Sequence, residues 1–151
     1  MAKTAKTRVA AGLGIVAGTV ALAACSKPAP NVTAQAGSTS VVVKASTYCF
    51  DPDKCTRHVP DFPSITVAPD DKVLVDVPRK VVGHGWAINA VDLDGKTSLG
   101  NSGAITDSHS YKVTAGINNG SPFIVQVVQL DGNKPDGSMW SFLVKIDPTK
   151  S

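Results

Sequence analysis

Regular alternation of apolar and polar side chains is the feature that most limits how this chain folds. In "MWSFLVKI" (139–146) every second residue from Trp140 onward is large and apolar. "KVLVDV" (72–77) alternates in the same way, with valines on one face and Lys72 and Asp76 on the other. A period of two places successive side chains on opposite faces of a strand. Because no stretch after residue 24 shows a sustained helical period, the sequence predicts an all-β fold.

Turn-forming residues separate the candidate strands. Further candidates are "VVVKAS", "PSITVAP", "GWAINAVDL", "SYKVT" and "FIVQVVQL", which brings the expected number to about seven. Asp94-Gly95, Asp131-Gly132 and Asp136-Gly137 are pairs that favour hairpin turns. This pattern is typical of an antiparallel β-sandwich, which we predict to be immunoglobulin-like. A cupredoxin-like Greek-key sandwich has the same periodicity and stays the alternative.

The first 25 residues have the organisation of an export signal. Lys3, Lys6 and Arg8 precede an apolar run of about 16 residues, which is shorter than the ~20 that span a bilayer. The run ends in "LAAC" (22–25), a bacterial lipobox, in which the cysteine sulfur receives a diacylglycerol and becomes the new N-terminus. We therefore predict a lipoprotein signal peptide at 1–24. Cys25 is then the palmitate-bearing lipid anchor, on the outer, extracytoplasmic face of the cell membrane.

Removal of the signal changes the charge balance and defines the domain. Lys3, Lys6 and Arg8 account for the whole formal excess of +3, so the remaining chain is neutral. It lacks the basic surface that nucleic-acid binding requires, and no nucleic-acid partner is expected. The segment "SKPAPNVTAQAGSTS" has almost no large apolar side chains, so residues 25–40 are predicted to be the lipidated cysteine and a disordered tether. The β-sandwich domain is expected to span 41–151.

Cys49 and Cys55 form an even pair in "YCFDPDKC" (48–55) once Cys25 carries lipid. An oxidising compartment and the turn-forming residues between the two cysteines favour a structural disulfide. Two alternatives remain: a zinc site that adds His58, and a dithiol redox motif. The spacing of the cysteines matches neither of these patterns well.

Copper chemistry is the sharpest functional alternative. A blue-copper centre uses two imidazoles, a thiolate and usually a weak thioether ligand. The chain offers His58, His84, His109 and Met139, but Met139 has no cysteine or histidine near it in sequence. A metal-binding or electron-transfer domain of cupredoxin type therefore stays the runner-up function, and no metal or other cofactor is predicted.

Catalysis and ligand binding by side chains receive weaker support. "TDSHSY" (106–111) brings an aspartate, a serine and a histidine together, but neighbours on a strand point to opposite faces. We predict that the protein is not an enzyme and keep an envelope hydrolase as the weakest alternative. Trp86, which follows "GHG", and Trp140 are expected in the core. As a weaker alternative, His84, Trp86 and Trp140 form a ligand platform.

Several of these stretches together resemble a known group of proteins. The lipobox, the cysteine pair, "ITVAPDDKVLVDVP", the following "GW" and the closing "MWSFLVKID" are similar to small uncharacterised lipoproteins of actinobacteria. Their shared domain has no assigned function, so the resemblance implies location and fold only. The expected function is that of a membrane-anchored extracytoplasmic lipoprotein. Its domain is expected to bind or scaffold a cell-envelope protein or glycan without catalysis.

Overall fold

The computed structural model describes residues 27–51, 53–58 and 62–150. The predicted signal peptide at 1–24 and the predicted lipidation site Cys25 lie outside these residues. The described chain forms eleven strands, a single-turn helix and a 3-10 turn. In chain order these are β1 (Val32–Ala36), β2 (Thr39–Val43), β3 (Ala45–Asp51), β4 (Lys54–Arg57), β5 (Ser64–Val67), β6 (Lys72–Asp76), α1 (Arg79–Val82), β7 (Trp86–Val91), β8 (Ser98–Asn101), β9 (Ser110–Thr114), the 3-10 turn (Ala115–Asn118), β10 (Phe123–Asp131) and β11 (Lys134–Ile146).

The strands form two sheets, and the predicted all-β sandwich is confirmed. The smaller sheet has the order β2-β1-β6-β9, and the larger has the order β4-β3-β11-β10-β7-β8. Neighbours along both of these orders are antiparallel. β5 is the exception, because it runs parallel to the second half of β11. β3 and β5 therefore pair with successive parts of the same long strand.

The core lies between the sheets and follows the alternation that the sequence predicts. On β11 the inward residues Trp140, Phe142 and Val144 are fully buried. On β6 the inward residues Val73 and Val75 are equally buried, while the alternating residues between them are more exposed. Burial of such large apolar side chains stabilises a fold by roughly 1.5–3 kcal/mol each.

The prediction of a disordered tether over 25–40 is wrong from Val32 onward. β1 lies inside the smaller sheet, paired with β2 on one side and β6 on the other. Val32 and Ala34 face the core and are fully buried, and Gly37 adopts a positive φ of 56° in the turn to β2. A strand that is short and built of small residues contributes little side-chain area, but here both of its backbone edges are paired. The sandwich therefore begins at β1 rather than at residue 41.

A second difference concerns Asp136-Gly137, which lies inside β11 rather than in a hairpin turn. The register between β10 and β11 shifts between Val128 and Leu130, opposite this pair. Such an irregularity is typical of a β-bulge, which is one reason for a glycine within a strand. The other Asp-Gly pairs behave as predicted: Asp131-Gly132 joins β10 to β11, and Gly95 follows β7 with a positive φ.

Candidate functional site

The disulfide predicted from the sequence is confirmed and lies across a β-hairpin. β3 and β4 are antiparallel, and Cys49 stands directly opposite Cys55 with a Cα–Cα distance of 3.9 Å. The two residues on either side of the turn, Asp51 and Lys54, form an exposed ion pair at 3.7 Å. Exposed pairs of this kind contribute little to stability. Because the two sulfurs are bonded to each other, they are not available as the thiolate ligands of the zinc alternative.

The disulfide packs directly on the backbone of β11. Gly137 has a φ of 97°, and a Cβ at this position would lie 2.9 Å from Cys49 Sγ and 3.5 Å from Cys55 Sγ. Only glycine combines that backbone conformation with so close an approach. The next residue, Ser138, is fully buried, and its hydroxyl accepts a hydrogen bond from Cys49 N at 3.0 Å. The hairpin is thus held against β11 by both a close packing contact and a buried hydrogen bond.

A polar network continues from this contact to β10. Asp136 accepts a hydrogen bond from Ser138 N through Oδ1 at 2.7 Å and another from Gln129 Nε2 through Oδ2 at 2.6 Å. In this bond the Gln129 amide group turns its NH2 towards Asp136. The amide oxygen of Gln129 then points elsewhere, and it is buried without a hydrogen-bond partner among the described residues. Gln129 is 3% exposed, so this acceptor is shielded from water.

A pocket of about 220 Å³ lies beside this network, at one end of the sandwich. We call it the disulfide-side pocket. Its lining combines aromatic, basic and acidic side chains with the disulfide: Tyr48, Cys49, Phe50, Asp51, Lys80, His84, Gln129, Asp131 and Asp136. With three aspartates against one lysine, the lining carries an excess of negative charge. Such a site is suited to a ligand that is cationic or rich in hydrogen-bond donors.

One wall of the disulfide-side pocket already holds a cation of the chain itself. Lys80 Nζ lies 5.1 Å from the ring centroid of Tyr48 and 5.6 Å from that of Phe50. The two rings contact each other edge to face at a centroid distance of 4.8 Å. Distances below about 6 Å are those of cation–π interactions. The geometry therefore shows that this aromatic pair accepts an ammonium group.

The predicted ligand platform is only partly assembled. His84 is exposed and lines the disulfide-side pocket. Trp86 and Trp140 are both fully buried, so neither offers a ring face to a ligand, and their platform role is wrong. Each indole N–H donates to a backbone carbonyl: Trp86 Nε1 to Ser108 O at 2.9 Å, and Trp140 Nε1 to Pro30 O at 2.8 Å.

The serine and histidine of the hydrolase alternative both contact backbone carbonyl groups. Ser108 Oγ donates to Ser110 O at 2.8 Å, and His109 Nδ1 lies 3.2 Å from Val77 O. Neither contact places the serine hydroxyl on the imidazole, as an activated nucleophile requires. Within residues 27–51, 53–58 and 62–150, no three His, Cys, Asp or Glu side chains are grouped as metal ligands.

Gln129 and Lys80 are the residues of the candidate site that sequence reasoning missed. A signal for Gln129 was present, because it continues the inward series of Phe123, Val125 and Val127 on β10 as a polar residue. A polar side chain in phase with a buried apolar series marks a place where a hydrogen-bond partner is needed. Lys80 lies on α1 and gives no such signal, since its contact with Tyr48 depends on the fold.

Comparisons with known proteins identify a family for this chain. None of the described helices is both long and apolar enough to cross a membrane. No curated protein matches the chain, and no solved structure matches it either. One family model matches residues 26–117, a range that extends from before β1 into the 3-10 turn after β9. The chain therefore belongs to the family described as protein of unknown function (DUF2771).

Proposed function

We propose that the protein is a lipid-anchored lipoprotein on the outer face of the cell membrane, of the kind found in actinobacteria. Its β-sandwich is a non-enzymatic binding or scaffolding domain of the cell envelope. The disulfide between Cys49 and Cys55 is the observation that carries the location, because structural disulfides persist in oxidising compartments and are rare in the cytosol. The sequence "LAAC" supports the anchor, since it places Cys25 where a lipobox needs its acylated residue.

Metabolic labelling tests the anchor. Bacteria that express the full chain are fed a palmitate analogue that can be conjugated to a dye, and their membranes are separated from soluble protein. The wild type should carry the label and sediment with the membranes, whereas Cys25→Ser should lose both properties. Cys49→Ser with Cys55→Ser is the matched control, because it removes the other two cysteines and should leave the label in place. A label that persists in Cys25→Ser would refute the anchor.

The disulfide-side pocket is the binding site that we assign to this function. The buried amide oxygen of Gln129 has no partner among the described residues, which costs about 1–3 kcal/mol. A donor that enters the pocket and displaces the groups covering this oxygen would recover that cost. Asp131 and Asp136 line the same pocket and favour a donor with positive charge. A volume of about 220 Å³ suits a small group, such as the amino end of a larger envelope molecule.

Photo-crosslinking in intact cells tests the binding role. A photoreactive amino acid replaces His84 at the edge of the pocket, and Thr39, the first residue of β2, serves as an exposed control position. Position 84 should give a reproducible adduct that position 39 lacks. The adduct yield should fall in Gln129→Met, which keeps the side-chain length and removes the acceptor. If positions 84 and 39 give the same products, the pocket is not the binding site.

The cupredoxin-type alternative is not carried forward. It needs a cysteine thiolate to hold copper, and the sulfurs of Cys49 and Cys55 are used in bonding to each other. Met139, the expected thioether ligand, lies on β11 opposite Thr47 of β3 and Val128 of β10, so its direct cross-strand neighbours are not metal ligands.

A further inference from the structure

The N-terminal segment is fixed to the sandwich close to the predicted anchor. Pro30 O accepts the indole hydrogen bond of Trp140, and β1 begins two residues later. Only five positions separate Cys25 from Pro30, and an extended chain covers at most ~3.6 Å per residue, or about 18 Å in all. This step rests on the proposed function, in which Cys25 carries the lipid. The sandwich is then held at the bilayer surface and cannot move away from it on a long tether.

The same segment forms one wall of a groove of about 700 Å³, which we call the N-terminal groove. Lys27 lines its start, only two residues after Cys25. Lys44, which follows β2, and His58, which follows β4, line other parts of the groove. Phe50 at the hairpin is 44% exposed and lines it as well. The chain that leaves the fold towards the anchor therefore starts from this groove.

The charge of the N-terminal groove differs from that of the domain as a whole. The chain from Cys25 onward has equal numbers of basic and acidic side chains. Among the described residues, the lining of the groove includes Lys27, Lys44 and His58 and no aspartate. Basic side chains around an exposed aromatic ring are the pattern of surfaces that rest on anionic membranes. In such surfaces the ammonium groups contact lipid phosphates and the ring enters the boundary between headgroups and acyl chains.

We propose that the N-terminal groove is the membrane-facing surface of the protein and that its occupant is the anionic bilayer that holds Cys25. Lys27 and Lys44 contact lipid phosphates, and Phe50 reaches the acyl boundary. The short connection to the anchor keeps this surface at the bilayer, and its charge selects anionic lipid. The edges formed by β8 and β9 lie at the other ends of the two sheets and face away from the membrane.

Lysine footprinting of the purified lipoprotein tests this orientation. The intact mass of the preparation first shows whether Cys25 carries its lipid. The protein is then reconstituted into vesicles of phosphatidylcholine alone or with a third of phosphatidylglycerol, and acetylation of each lysine is followed by mass spectrometry. Lys96, between β7 and β8, and Lys112 on β9 are the control lysines. In anionic vesicles Lys27 and Lys44 should react about fivefold more slowly than in neutral vesicles, the factor expected for one basic side chain at an anionic surface.

Salt and a matched pair of variants sharpen the test. Protection of Lys27 should disappear in 1 M salt, where the screening length falls to about 3 Å. Lys44→Gln should weaken the protection of Lys27, whereas Lys112→Gln should leave it unchanged. If lipid is present and Lys27 and Lys44 react as fast as Lys96, the membrane-facing groove is wrong while the anchor stands.

Absence of lipid gives a separate outcome. If the intact mass shows no acyl group on Cys25, the proposed anchor fails and the same protein is mixed with the vesicles directly. Slower acetylation of Lys27 and Lys44 in anionic vesicles then supports the groove by itself. Equal acetylation in both kinds of vesicle overturns it.

Discussion

Replacement of Gly137 by alanine should destabilise the domain mainly through the disulfide. A Cβ at position 137 would lie 2.9 Å from Cys49 Sγ, which is inside the closest approach that real Cβ atoms make. The sulfur cannot move aside as a flexible side-chain end would, because it is bonded to Cys55 across the hairpin. Gly132 provides the matched control, since it also has a positive φ but an added Cβ there would have no atom of another described residue within 4 Å, its chain neighbours aside.

The cost of Gly137→Ala has two parts, backbone strain at positive φ and overpacking against the disulfide, and the two variants separate them. An L-residue at positive φ costs about 1–2 kcal/mol, and this term applies to both Gly132→Ala and Gly137→Ala. Overpacking against a rigid neighbour costs a further 1–3 kcal/mol or so, and this term applies to Gly137→Ala alone. When Cys49→Ala and Cys55→Ala remove both sulfurs, the overpacking cost of Gly137→Ala should vanish. Loss of the disulfide itself should cost about 2.4 kcal/mol on the chain-entropy model, for a closed loop of about seven residues.

Urea denaturation supplies the measurement. Trp86 and Trp140 are fully buried, so their fluorescence reports unfolding of the sandwich. Gly137→Ala is compared in the native background and in the background that lacks both sulfurs, which forms a double-mutant cycle. The expected coupling free energy is about 1–3 kcal/mol, the overpacking term. An equal loss of stability in the two backgrounds would show that contact with the disulfide is not the reason for glycine at this position.

Three further predictions concern the N-terminus and the acid range. Deletion of residues 26–36 should abolish cooperative unfolding because it removes a strand paired on both sides, whereas a disordered tether could be deleted without effect; calorimetry decides between the two. Trp140→Phe should cost about 1 kcal/mol by leaving the Pro30 carbonyl without its donor, and hydrogen exchange should rise in β1 before it rises elsewhere. The pKa of Asp147 is lowered from its ordinary value because the side chain and the backbone N–H of Thr149 donate to its carboxylate. A carboxylate with a lowered pKa stabilises the fold at pH values above its ordinary pKa, and this stabilisation is lost as the pH falls through the folded-state pKa. Thr149→Ala should therefore raise the pKa of Asp147 in an NMR titration and weaken the dependence of stability on pH in the acid range.

The sandwich could be predicted where large side chains alternate and not where the strand is built of small ones. β11 and β6 carry bulky inward residues such as Phe142 and Val75, and their period of two is readable in the sequence. β1 has only Val32 as a sizeable inward residue, so its sequence resembles a linker. Its order comes from neighbours on both sides, which a single sequence does not reveal. The burial of Ala34 against the core is thus a consequence of sheet order rather than of local preference.

The candidate site also has features that the sequence predicts and features that depend on the fold. The pairing of Cys49 with Cys55 is predicted from the number of cysteines and from the oxidising compartment that the signal sequence indicates. The glycine in Asp136-Gly137 has two possible uses, a turn or a close approach, and only the position of the disulfide shows that the second applies. The disulfide-side pocket combines residues from β3, from α1 and from the β10–β11 pair, which are distant in sequence. No local pattern could bring Lys80 to Tyr48.

The hairpin of β3 and β4 connects the two surfaces that we assign to function. All four residues of β4 are exposed, and within the described part of the chain β4 pairs only with β3, so burial contributes little to holding it. The disulfide and its contact with Gly137 hold the hairpin instead. Tyr48 and Phe50 line both the disulfide-side pocket and the N-terminal groove. Phe50 is exposed, so a bilayer against the groove and a ligand in the pocket would both contact its ring, which packs on the buried ring of Tyr48. Binding at one surface should then change affinity at the other, and by linkage the effect must be equal in both directions.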